Sequence, residues 1–140
     1  MYGMDEFFES VKELNEEELF YKEYYRIKKE SPEKLGEYLE MLDREMMQEK
    51  GLWLPEIRQT SASYFTEYFV EDIRKNVEIS IHNRYTPLFL HKHAFFEMVY
   101  VYSGQCENTI DGNKIVMNKG DICIIAPDVS HTMGVFDDDS

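Results

Sequence analysis

Apolar residues recur at helical spacing over the first part of the chain and alternate with polar ones over the last part. Phe7, Phe8, Val11 and Leu14 have the first pattern. Asn15 followed by Glu16, Glu17 and Glu18 reads as a fresh N-cap with an acid three residues on. It opens a helix through Leu19, Phe20, Tyr24 and Ile27, with Lys28 and Lys29 in the last turn, where cations complement the helix dipole. Ser31-Pro32 starts another helix, a capping hydroxyl ahead of proline at the first helical position. Leu35, Tyr38, Leu39, Leu42 and Met46 form its stripe, and Gly51 stops it where a left-handed residue is wanted. Leu52-Trp53-Leu54-Pro55 is an apolar tether expected to dock these helices onto the second half of the chain.

Residues 56–76 suit a helix through Tyr64, Phe65, Tyr68, Phe69 and Ile73, with an extended reading of 63–70 left open. From Val77 the period becomes two. Val77, Ile79 and Ile81 alternate with Glu78, Ser80 and His82, which predicts a half-buried strand with His82 on its surface side. Further strands are expected over 97–102, over 106–117 as a hairpin about Asp111-Gly112, and over 121–126. Asp137-Asp138-Asp139-Ser140 reads as a frayed acidic end. The order is α+β: a helical extension over 1–55 and a β unit over 56–140, together one compact unit.

Composition narrows the function classes. With 28 acidic against 15 basic residues the net charge is −13, which repels nucleic acid and argues against direct DNA contact by this piece. Cys106 and Cys123 have no paired spacing and read as reduced thiols. No basic start and apolar core of a secretory signal opens the chain, and no apolar run approaches a membrane span, so a cytoplasmic location is expected.

The candidate chemistry lies in His91, His93, Glu97 and His131. Side chains two apart on a strand share a face, so His91 and His93 point together, whereas Glu97 joins them through a bend or bulge near Phe95. Three imidazoles and a carboxylate suit a divalent first-row transition metal with open positions for water or ligand. The alternative is a set that hydrogen-bonds itself or an effector without metal. Of Phe95, Phe96, Met98, Tyr100 and Tyr102 most are expected in the core, with about two touching ligand. Tyr100 is the effector-binding candidate beside the four polar residues, and Arg84 and Tyr85 are weaker pocket candidates.

Written as spacing, His91-x-His93-x3-Glu97-x6-Gly104 and Gly120-x6-Pro127-x3-His131 resemble the two signature motifs of the cupin superfamily. The resemblance implies a cupin-like antiparallel β-barrel, a jelly roll. The wording from His93-Ala94-Phe95-Phe96-Glu97 to Ser103-Gly104, and from Gly120-Asp121 through Pro127 to His131, is similar to the effector-binding domains of AraC-type transcriptional regulators. It covers roughly residues 77–135. In that family the barrel binds a small molecule and contributes to a homodimer, while a separate downstream helix-turn-helix region contacts DNA. A cupin barrel normally continues for several strands past its second motif, so the expectation is a fragment of a longer protein that dimerises. The second hypothesis is a small metal-dependent cupin enzyme of oxygenase or isomerase type, with His91, His93, His131 and Glu97 as ligands. No further group is placed as a general base, so no catalytic residue is assigned.

Overall fold

Helix α1, Glu16–Glu30, begins where the sequence predicts it. The Asn15 side chain accepts from the Glu18 N–H (2.9 Å) and the Glu18 carboxylate accepts from the Asn15 N–H (2.9 Å), which completes a capping box. Its buried face is Glu18, Tyr21, Tyr24 and Ile27, while Leu19 points to solvent. The computed structural model describes residues 12–57, 77 and 79–140; the readings on Phe7, Phe8 and Val11 and on 58–76 lie outside them.

The single helix expected from Pro32 to Gly51 is three pieces: a 3-10 turn Pro32–Lys34, α2 Leu35–Met41 and α3 Arg44–Glu49. The break lies at Leu42 and Asp43. The Asp43 carboxylate accepts from the Glu45 and Met46 N–H groups, so a short polar side chain inside an apolar stripe restarts the helix as an N-cap. Gly51 does end α3, with φ +66°. The Leu52 N–H donates to Met47 O (2.8 Å) and the Gly51 N–H to Gln48 O (3.2 Å), the paired bonds of a Schellman cap. That turn drops Leu52 against Met47, in a core of Tyr21, Tyr24, Met47, Leu52, Leu54 and Tyr85.

Tyr85 belongs to the second half of the chain, so the helices pack on the β unit as the apolar tether implied. Arg84 and Tyr85, the weaker pocket candidates, form this seam. The Arg84 guanidinium donates to both Glu18 oxygens (2.8 and 3.0 Å) and to the carbonyls of Lys12, Glu13 and Asp138. The Tyr85 hydroxyl donates to Asp138 (2.7 Å), and Tyr25 stacks on Phe136 at 5.1 Å. The acidic end is therefore docked rather than frayed: Asp138 also accepts from Lys22 (2.7 Å), and Ser140 accepts from the Gln105 N–H (2.8 Å).

Among the described residues there are five strands: β1 Glu97–Tyr100, β2 Gln105–Ile110, β3 Asn113–Asn118, β4 Ile122–Ile125 and β5 His131–Gly134. β1 pairs antiparallel with β4, and β2 lies between β3 and β5 in a second antiparallel sheet. The β2–β3 hairpin turns on Asp111 (φ +47°) and Gly112 (φ +79°), both left-handed as a two-residue type I′ turn requires. Val99, Val101 and Cys123 meet Cys106, Met117 and Met133 between the sheets.

The fold class is α+β with cupin-like antiparallel strands, but among the described residues the sheets do not close into a barrel. The 77–90 region contributes no strand there; Pro87, which has no N–H to give a ladder, interrupts it. The alternation over 77–82 does not bury its apolar positions. Val77, Ile79 (91% exposed) and Ile81 are exposed, whereas the His82 Nε2 is buried. No helix among the described residues is long and apolar enough to cross a membrane.

Candidate metal centre

His91 and His131 are joined through their backbones before their side chains meet. The His91 N–H donates to His131 O (3.0 Å) and the His131 N–H returns the bond to His91 O (2.9 Å), an isolated antiparallel bridge. This bridge ties the two sequence motifs together at their ligand residues and leaves the imidazole centroids 4.1 Å apart. His93 is anchored from the second motif, because its carbonyl accepts from the Asp128 N–H (2.8 Å). The chain then bends at Ala94 and Phe95 and enters β1 at Glu97. The bend brings the carboxylate onto the face that the histidines share.

The result is a cluster in which one atom each of His91, His93, Glu97 and His131 lies within 4.8 Å of the others. Glu97 Oε2 is 3.2 Å from His93 Nε2 and 2.9 Å from His131 Nε2. His131 is 1% exposed. Tyr100 is not brought to the cluster: it alternates with Glu97 and Val99 along β1 and faces outward with Met98.

Each ring is held by its other nitrogen. Nδ1 of His91 faces Phe89 O (3.3 Å), Nδ1 of His93 faces Phe95 O (2.8 Å) and Nδ1 of His131 faces Val129 O (3.0 Å). A carbonyl only accepts, so Nδ1 is the donor in all three contacts. The carboxylate of Glu97 also only accepts. His93 Nε2 is hydrogen-bonded to Glu97 Oε2 (3.2 Å), whereas His131 Nε2, 2.9 Å from the same oxygen, makes no hydrogen bond. Burial presses the His91 imidazole toward its neutral form, with the neighbouring imidazoles adding to the push.

A divalent cation fits this donor set. Ligand atoms at about 2.0–2.2 Å from one ion lie no more than ~4.4 Å apart, so a limit of 4.8 Å asks for a contraction of a few tenths of an ångström. Three imidazoles and one carboxylate suit a first-row transition ion better than Mg²⁺ or Ca²⁺, which prefer all-oxygen shells. The cysteines take no part: Cys106 and Cys123 lie in the apolar layer between the sheets, and burial raises the Cys106 thiol above its usual range.

Two further polar residues went unassigned in the sequence. Asn108 is 0% exposed on β2, and neither its amide nitrogen nor its amide oxygen has a hydrogen-bond partner. The signal for it was legible, since Asn108 alternates in step with Cys106 and Ile110 and is therefore a polar residue at an inward position. His82 also has a buried Nε2 without a partner, and its imidazole is pressed toward neutrality by burial, although the nearby Glu97 carboxylate opposes this. A groove of about 580 Å³ between Asn15, Phe20, Met46, Leu52 and Asn83 shares no residue with the cluster.

Residues 77–139 match the family described as Cupin domain. No curated protein and no solved structure matches the chain. The match spans both histidine motifs and all four cluster residues, in agreement with the cupin superfamily resemblance of their spacing.

Proposed function

We propose that this cupin-like chain binds a divalent transition metal through His91, His93, Glu97 and His131. We further propose that it serves as the effector-sensing and dimerising domain of an AraC-type transcriptional regulator. The observation that carries the metal reading is the convergence of three imidazoles and one carboxylate, with one ligand atom of each within 4.8 Å of the others and each Nδ1 turned to a backbone carbonyl. A bound ion would supply positive charge for the carboxylate and open positions for an oxygen-bearing effector. The sensor reading is supported by the wording of the two motifs and by the acidic surface, which assigns DNA contact to another region.

Protein purified without a polyhistidine tag is expected to contain close to one metal equivalent by elemental analysis. His131→Ala should lose more than about a hundredfold in metal affinity, since loss of even an outer-shell partner typically costs 10–100-fold. Metal-free wild-type protein that fails to take up added Co²⁺, Ni²⁺ or Zn²⁺ ends the metal reading. A reading frame running on from Ser140 into a basic, helical segment would support the regulator.

One observation favours the enzyme as a second reading. The buried, unpartnered Nε2 of His82 is a proton acceptor near Glu97 and His91 that the sequence did not reveal. Turnover by the metal-loaded protein that is lost in His82→Phe, with metal content retained, would favour that reading over the sensor.

A further inference from the structure

The buried side-chain polar atoms without hydrogen-bond partners, among the described residues, are His82 Nε2, His131 Nε2 and both amide atoms of Asn108. A metal ion would satisfy His131. It would not satisfy Asn108, whose amide has no place among the four ligand residues. Leaving an amide buried and unpaired costs on the order of 1–3 kcal/mol per group, so a partner from outside the chain, water or ligand, would stabilise Asn108.

The sheet register says where that partner would lie. On the inner face of the β2–β5 pair, Ile110 is opposite His131 and Asn108 is opposite Met133. Asn108 is therefore the diagonal neighbour of His131, with Cβ atoms roughly 7 Å apart or less. A ligand of a few heavy atoms coordinated beside His131 spans that gap. An amide offers a donor on nitrogen and an acceptor on oxygen. A carboxylate oxygen satisfies only the donor, whereas an adjacent hydroxyl satisfies the acceptor. Three neutral imidazoles, one carboxylate and a divalent ion sum to a net charge of +1, which a monoanion neutralises.

We infer that Asn108 is the specificity-determining residue of the centre and selects a small 2-hydroxycarboxylate. The ligand's oxygens reach the metal while the Asn108 Nδ2 donates to its carboxylate and the Asn108 Oδ1 accepts from its hydroxyl. This rests on the metal reading above. It adds the class of ligand and a residue outside the metal-binding set.

The test uses the Co²⁺-loaded chain, with glycolate and acetate as probes followed by the visible absorption of the metal. Wild-type protein should bind glycolate at least about tenfold tighter than acetate, because a site built to pair a hydroxyl rejects the analogue that lacks it. Asn108→Leu, of similar volume but apolar, should bring that preference to within about threefold. Co²⁺ affinity should stay unchanged, and the metal-free variant should be as stable as wild type or more so in urea, because its unpaired amide is gone. An unchanged preference in Asn108→Leu overturns the inference and leaves the metal site standing. So does a less stable metal-free variant, which would make the amide a structural group. Wild-type protein that takes up no Co²⁺ overturns the metal reading and this inference together, an outcome distinct from either.

Discussion

Arg84 carries more of the structure than any other single polar residue described. Its guanidinium and backbone N–H hold the Glu18 carboxylate, both side chains are 5% exposed, and the same group ties down carbonyls from Lys12, Glu13 and Asp138. Burial alone would raise the Glu18 carboxyl, but the bonds from Arg84 and Asn15 outweigh it and hold Glu18 below its ordinary range. A carboxyl depressed in the folded state contributes stability that is present above its unfolded value of about 4.3 and is lost as pH falls through the lower folded value. Arg84→Met should therefore cost about 3–5 kcal/mol near neutral pH, by leaving a buried carboxylate unpaired. The loss should shrink in acid, where Glu18 can protonate. Urea unfolding at pH 7 and pH 4 checks both. Equal losses at the two pH values would show that Glu18 does not titrate as described.

At the scale of elements, two glycines with opposite roles test how the helical half is built. Gly51 has φ +66° in the turn that ends α3, so Gly51→Ala should cost about 1–2 kcal/mol in left-handed strain. Gly36 lies within α2, where an added Cβ meets nothing within 4 Å, so Gly36→Ala should gain about 0.5–1 kcal/mol in helix propensity. Thermal unfolding of the two variants should shift in opposite directions. Gly51 and the Asn15 capping box were legible because caps are local: a few residues decide them. The break at Asp43 was not, because the stripe from Leu35 to Met46 satisfies helical spacing whether or not an interior acid turns back to cap Glu45 and Met46. The strand expected over 77–82 is absent among the described residues, because alternation records that a segment can be a strand but not that another strand pairs with it.

At the scale of the whole molecule, the β1–β4 pair presents an exposed apolar face among the described residues. Met98, Tyr100, Ile122 and Ile124 pair across β1 and β4 and are each more than half exposed, with Phe96 and Tyr102 beside them. The helical stripes, by contrast, pack on the chain's own Tyr85 and Phe136. The β1–β4 face offers on the order of 600 Å² of apolar side chain against about 800 Å² per partner in a standard interface. It carries no charge, so a second copy can cover it despite the net charge of −13. The homodimer of the proposed regulator is expected there. Ile124→Asp should raise the dimer dissociation constant at least tenfold, about 1.4 kcal/mol, in sedimentation equilibrium, with metal content unchanged. A wild-type chain that is monomeric at high concentration would remove this interface.

The sequence by itself determined that helices precede antiparallel strands, the caps at Asn15 and Gly51, the type I′ hairpin and the identity of the four clustered residues. Each of these rests on spacing along the chain, and spacing is what a sequence records. Only the tertiary structure decided that Arg84 and Tyr85 clamp the two halves together, that Tyr100 faces away from the centre, and that Asn108 and His82 lie buried without partners. Those depend on which surfaces meet, and surfaces are chosen by packing between segments far apart in the chain.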